Sequence, residues 1–200
     1  MHYISDILYW ISTGLLVPVI VLLILLFGRA LLLIGSFFGQ YLAVHKTNAV
    51  LQKELEALDK DSIATLTERL PIRQKSLIID YIRRMLVHKD SEAHLQKILS
   101  DFETASAADL ATSRTLAKMG PILGLMGTLI PMGPALVGLS TGDIASMAYN
   151  MQVAFATTVV GLFSAAVGFI TGQAKARWYH RDSASLQFLA DLLTSPEPGR

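Results

Sequence analysis

From Ile7 to Gly28 the chain carries no charged residue, and its apolar character continues past Arg29 through Leu31 to Phe38. A helix rising about 1.5 Å per residue needs roughly 20 residues to cross the hydrocarbon core, so this stretch predicts a first membrane span. A second uncharged run covers Met119 to Gly142 and a third Ile144 to Ala174, with Asp143 alone between them. Each is long enough to span. The joint, Gly138-Leu-Ser-Thr-Gly-Asp143, has the Gly, Ser and Asp content of a turn, so the last two spans form a hairpin with a very short loop.

Outside these runs the pattern becomes amphipathic and helical. Thr47 to Lys60 is rich in Leu, Glu and Lys, a break follows at Asp61-Ser62, and Pro71 suits the first turn of a further helix. Ile78, Ile82, Met85 and Leu86 share one stripe, as do Leu95, Ile98, Leu99 and Phe102, and the latter segment can run without interruption into the second span. The predicted fold is an all-α membrane protein with three transmembrane helices and a helical cytoplasmic domain. Residues 1–38 hold the first transmembrane helix, 39–118 the cytoplasmic connector, 119–174 the hairpin, and 175–200 a C-terminal helix ending in a polar tail, Ser195-Pro-Glu-Pro-Gly-Arg200.

Charge sets the orientation. Apart from Arg29, every Lys and Arg lies either between Lys46 and Lys118 or from Lys175 onward. The positive-inside bias then puts the N-terminus outside and both the connector and the C-terminal tail in the cytoplasm, N-out and C-in. No Lys or Arg precedes the first apolar run, which is too long for a signal-peptide core, so the reading is a retained anchor. Tyr9 and Trp10 sit where an aromatic belt belongs, and Arg29 marks the opposite interface; as the single charge of the first hydrophobic region it is read either as a snorkelling cation or as a functional intramembrane charge. At 52% hydrophobic and 16% charged residues, with a net charge of +1, the composition fits a bilayer protein and offers no nucleic-acid footprint. The absence of Cys removes thiolate metal sites and thiol nucleophiles.

The hairpin departs from generic membrane helix. Gly120, Gly124 and Thr128 recur every four residues, and on the third span Asn150, Ala154 and Thr158 form one stripe and Ser164, Gly168 and Gly172 another. Small residues at this spacing let backbones approach closely, either within the chain or against identical neighbours. Pro131 and Pro134 each remove an amide inside the second span, freeing the carbonyls of Gly127 and Ile130. Unpaired carbonyls at membrane depth need a protein neighbour or a water-lined cavity. Thr128, Thr157 and Thr158 are the polar candidates for an ion pathway, because a hydroxyl donates and accepts at once; the competing reading is a bond to each residue's own preceding carbonyl.

Between Met119 and Ala174 there is no Asp, Glu, His, Lys or Arg besides the loop residue Asp143. Membrane proton relays use ionisable groups, so if protons cross here the titrating carboxylate belongs to another chain. His88 and His94, six apart, do not stack on one helix face, and no carboxylate pattern completes a metal site. No phosphate loop, GxSxG elbow or HExxH occurs, so no catalytic residue, metal or cofactor is predicted, and no enzyme activity.

Two motifs on this topology resemble the MotA/TolQ/ExbB proton channel family. Pro121-Ile-Leu-Gly124-Leu-Met-Gly127-Thr128 is similar to that family's proline and GLxGT entry into its second helix. Ala154-Phe-Ala-Thr157-Thr158-Val-Val-Gly161-Leu162 is similar to its ALxxTxxGL stretch. The resemblance implies a pentamer in the cytoplasmic (inner) membrane whose second and third helices line a pore around a dimer of a single-span ExbD/TolR/MotB-like partner. That partner would contribute the membrane Asp, Thr128 and Thr158 would face it, and proton or sodium flow would drive a stator-like motor acting on the envelope. Pro121, Pro131 and Pro134 would then bend or gate the pore helix, and Gly120, Gly124, Gly127, Gly161, Ser164, Gly168 and Gly172 would pack it. Val153 stands where ExbB-like members carry a Glu, and Leu129-Ile-Pro-Met-Gly-Pro134 differs from the family's usual sequence after the threonine. These departures mark a divergent branch. The alternative is a non-conducting oligomeric scaffold that uses the same small-residue faces.

Overall fold

The computed structural model describes residues 2–56, 77–88 and 91–194, with the backbone alone at residues 2, 5, 6 and 42–56. Its regular elements are helices: α1 (His2–Gly14), α2 (Leu16–Glu56), α3 (Leu77–Val87), α4 (Glu92–Thr141) and α5 (Ile144–Thr194). Among the described residues three stretches are long and apolar enough to cross a membrane, Ile7–Tyr41, Glu92–Thr141 and Ile144–Thr194. The expected break at Asp61-Ser62, the helix start at Pro71 and the polar tail at residues 195–200 lie outside the described residues, as does the end of the expected Thr47–Lys60 helix beyond Glu56.

The chain divides into two compact units. The first comprises Met1–Gly35 and Ala111–Gly172, the second Ser36–Leu110 and Gln173–Arg200. No helix ends at 38, 118 or 174; α2, α4 and α5 run through all three positions. At 50 and 51 residues, α4 and α5 are each about 75 Å long against a hydrocarbon core of about 30 Å, so both overshoot the bilayer by several turns.

The first apolar stretch is not one uninterrupted helix. Pro18 has no amide and its ring crowds the carbonyl of Gly14, so the helix breaks at Leu15, whose N–H is shared between the carbonyls of Ile11 and Ser12, both at 3.1 Å. Beyond the break α2 packs on α4, with Val19 and Leu23 buried against Leu123 and Ile130, and Ala30 and Leu33 against Leu116. Phe27 meets Phe163 of α5 with ring centroids 5.7 Å apart. Leu125, Leu129, Phe155, Val159, Leu162 and Phe169 point outward and are exposed, an arrangement stable in lipid and costly in water.

The hairpin turn is closed by two residues. Gly142 adopts a left-handed φ of 76°, the conformation open to Gly at low cost, while Asp143 N–H donates to Gly138 O at 2.8 Å and Gly142 N–H to Leu139 O at 3.3 Å, terminating α4 in a Schellman motif. The Asp143 carboxylate then accepts from Ser146 N–H at 3.0 Å, capping α5. The single acid of the hairpin is thus a structural cap.

In the second unit the stripes of α3, α4 and α5 meet. Ile78, Ile79, Tyr81, Ile82 and Met85 are buried with Leu95, Ile98 and Phe102 and with Leu186, Leu189 and Ala190. Phe102 takes the edge of Tyr81 at 5.3 Å and of Tyr179 at 6.3 Å. Burying side chains of this size contributes roughly 1.5–3 kcal/mol each.

Candidate ion-pathway site

The two hairpin helices meet along a seam of small residues spaced alternately three and four apart. Along this seam α5 buries Ala154, Thr157, Gly161, Ser164, Gly168 and Thr171. A Cβ placed on Gly120 would lie 2.5 Å from the carbonyl oxygen of Gly161, and one on Gly161 would lie 2.6 Å from that of Gly120. One on Gly168 would lie 2.6 Å from both Leu116 Cβ and Ser113 O. Gly127 faces Thr157, whose Cβ and Oγ1 are both 2.6 Å from its missing Cβ. Gly124 is looser, with Gly161 Cα at 3.5 Å, and Gly172 has Ser113 Cβ at 3.2 Å. Ser164 is fully buried and donates to Val160 O at 2.8 Å.

The expected four-residue stripe Gly120, Gly124, Thr128 does not hold as one face. A helix advances 400° over four residues, so the stripe drifts by about 40° each time and the buried row continues at Gly127, leaving Thr128 partly exposed. Thr158 is likewise partly exposed and Thr157 buried. The Gly127–Thr157 contact brings Thr128 and Thr158 to one level of the hairpin.

All three threonine hydroxyls donate to carbonyls of their own helix. Thr128 bonds Leu125 O at 2.7 Å, Thr158 bonds Ala154 O at 3.0 Å, and Thr157 divides its proton between Val153 O at 3.1 Å and Ala154 O at 2.9 Å. What each oxygen still offers is lone pairs. Such acceptors suit a protonated carboxyl, a hydrated proton or a small cation, and they offer nothing to an anion. α4 passes through Pro121, Pro131 and Pro134 without interruption; Pro131 is fully buried, Pro134 partly so, and Pro121 exposed. Asn150 donates to Ser146 O at 2.9 Å, and Arg29 is exposed.

Beyond the uncharged runs, the second unit holds a polar cluster. Lys175 Nζ donates to Asp109 Oδ2 at 2.8 Å and Tyr179 OH to the same oxygen at 2.7 Å. The Lys175 side chain is only 3% exposed, whereas that of Asp109 is 37% exposed. Burial pushes the Asp109 carboxyl up, but the hydrogen bonds from Lys175 and Tyr179 and the lysine charge outweigh it, so Asp109 titrates below its usual value. Burial, the bond to Asp109 and the charges of Asp109 and Asp182 push the Tyr179 phenol well above its usual value. Asp182 is 8% exposed, and burial pushes its carboxyl up to about 6 despite Arg181 beside it.

Sequence reasoning missed this cluster, although extending the seam finds it. Ser113 and Thr171 share a hydrogen bond of 3.3 Å, Asp109 lies one turn before Ser113 and Lys175 one turn after Thr171. His88, just past the end of α3, and His94 on α4 stack their rings with centroids 5.1 Å apart, and Ser91 Oγ lies 2.8 Å from His94 Nδ1.

The sequence profile of the MotA/TolQ/ExbB proton channel family matches residues 47–187 of this chain. No curated protein and no solved structure matches it.

Proposed function

Since the chain belongs to the MotA/TolQ/ExbB proton channel family, we propose that it is the channel-lining subunit of an ion-driven motor complex. The observation that carries this is a hairpin of two membrane-length helices that presents threonine oxygens while holding no Asp, Glu, His, Lys or Arg between Met119 and Ala174 except the capping Asp143. A conducting path of that composition needs its titrating group from outside. A single-span partner of the ExbD/TolR/MotB kind, with an Asp in its span, supplies it.

In this proposal a ring of identical chains, a pentamer by family resemblance, surrounds the partner in the cytoplasmic membrane. The N-terminus is outside, and the connector and C-terminal segment are inside, following the distribution of Lys and Arg. Thr128 and Thr158 offer acceptor oxygens to the partner's protonated carboxyl, and Thr157 holds the hairpin closed through Gly127 while lining its edge. Pro131 and Pro134 free the Gly127 and Ile130 carbonyls near this level. The role is transport, with no catalytic residue and no cofactor.

The test is Thr128→Val and Thr158→Val with the partner co-expressed, reading ion flux and motor output. Both falling at unchanged protein level supports the proposal. Unchanged flux and output in both variants overturns the pore assignment and favours the scaffold reading, for which the close-packed seam is the supporting observation.

A further inference from the structure

The face of α4 that carries Thr128 carries charge at its other end. Arg114, Lys118, Pro121, Leu125 and Thr128 follow one another at intervals of four and three residues, so they share one face of the helix, and none of them is buried. The buried row of the seam runs beside them from Ser113 to Gly127. Lys118 lies about 15 Å along the helix from Thr128 and Arg114 about 21 Å, both on the side away from the hairpin turn.

The first unit offers this pair no near counter-charge. Its Lys and Arg residues are Arg29, Arg114 and Lys118, and its acids are Asp6 and Asp143. Asp143 sits in the hairpin turn, about 35 Å along α4 from Lys118. Asp6 precedes Tyr9, whose ring lies 3.8 Å from where a Cβ of Gly133 would be, in the half of the span nearer that turn. Asp109, the acid that precedes Arg114 on α4, is engaged with Lys175 and Tyr179. Among the described residues no hydrogen bond or ion pair holds Arg114 or Lys118. Four apart on one helix, the two cations repel each other and weaken the helix that carries them.

We infer that Arg114 and Lys118 dock an acidic segment of the single-span partner, the stretch of its chain that leaves the membrane on the side away from the hairpin turn. The inference rests on the reading that Thr128 faces the partner, since residues on one face of one helix meet the same neighbour. In a ring of identical chains the two residues would gather two positive charges per chain at one end of a cation path, and such a field holds cations back. Carboxylates of the partner remove that barrier and fix its register against the ring. Counted from a membrane Asp level with Thr128, they fall about 10–14 residues away where that stretch is helical and about 5–6 where it is extended. An anionic lipid headgroup has the same charge, but it would need this face turned to lipid and so away from the partner that Thr128 meets.

The test is carbodiimide cross-linking of the full chain with its co-purified single-span partner, followed by peptide mapping, because the reagent joins an amine to a carboxylate only where the two are in contact. Lys118 should be joined to an Asp or Glu of the partner in that window, and Lys118→Arg, which keeps the charge and removes the amine, should lose the product while retaining the partner. Arg114→Gln with Lys118→Gln should lower retention of the partner roughly tenfold at about 0.15 M salt, and raising the salt should weaken retention more in the unsubstituted protein than in this pair. Lys118 joined instead to a carboxylate of its own chain, within residues 42–76 or at Asp90, overturns the inference, as does unchanged retention in the Gln pair. A fall in retention seen in nanodiscs containing phosphatidylglycerol but not in phosphatidylcholine alone assigns the face to lipid and overturns it too. Should the Gln pair fail to fold, the cross-link in the unsubstituted protein decides. Docking is read from binding and conduction from flux, so the two fail separately: the cross-link with flux indifferent to Thr128→Val and Thr158→Val overturns conduction alone, and flux lost in those variants without the cross-link overturns docking alone.

Discussion

Replacing Gly168 by Ala puts a Cβ 2.6 Å from Leu116 Cβ and Ser113 O and 2.7 Å from Ala117 N, where two of the three neighbours are backbone atoms that cannot swing aside. Ordinary contact between carbon atoms begins near about 3.5 Å, so α4 and α5 must separate locally by about 1 Å. Overpacking of this kind typically costs about 1–3 kcal/mol. The substitution also gains roughly 0.8–1 kcal/mol from the better helix propensity of Ala. Gly35→Ala gains the same term and meets nothing within 4 Å, so the difference between the two variants isolates the seam. Measured by reversible unfolding in bicelles, Gly168→Ala should be less stable than Gly35→Ala by about 1–3 kcal/mol. A difference below about 0.5 kcal/mol, within the range of ordinary surface substitutions, would refute the close-packed seam.

Other consequences can be checked in the same preparations. Asp109→Asn leaves the nearly fully buried Lys175 ammonium without its counter-charge and should cost roughly 3 kcal/mol, whereas Lys175→Met leaves a carboxylate that is 37% exposed to water and should cost roughly 1–2 kcal/mol; equal costs would contradict the burial asymmetry. Since Asp109 titrates below its usual value, its contribution is present above pH 3.8 and lost as pH falls through the lower folded value, so Asp109→Asn should flatten the acid limb of the stability curve. Pro131→Ala restores an amide that can re-pair Gly127 O, and should lower motor output while leaving membrane protein levels unchanged; loss of protein with normal activity per molecule would contradict it.

The spans and the hairpin were legible because their determinants are local and one-dimensional. A bilayer imposes a length on uncharged runs, and Gly142-Asp143 carries both the left-handed residue and the N-cap that a tight helical turn needs. The break at Leu15 depends equally on a local residue, Pro18, but is hidden inside a run whose composition is uniformly apolar. The seam was half legible: the small residues were visible, while their face was misread because a four-residue repeat drifts and the helices meet on a three-and-four repeat. Asp109 and Lys175, 66 residues apart, look like ordinary surface charges until the register between α4 and α5 is known. Likewise nothing local marks Asp182 as a residue only 8% exposed.

The most direct test of the central claim is proton flux in proteoliposomes containing the chain with its co-purified single-span partner, under an imposed pH gradient. The account predicts flux only when both chains are present, lost when the partner's membrane Asp is replaced by Asn, and sharply reduced by Thr128→Val with Thr158→Val at unchanged assembly. Flux through this chain alone, or flux indifferent to the partner's acid, would contradict it.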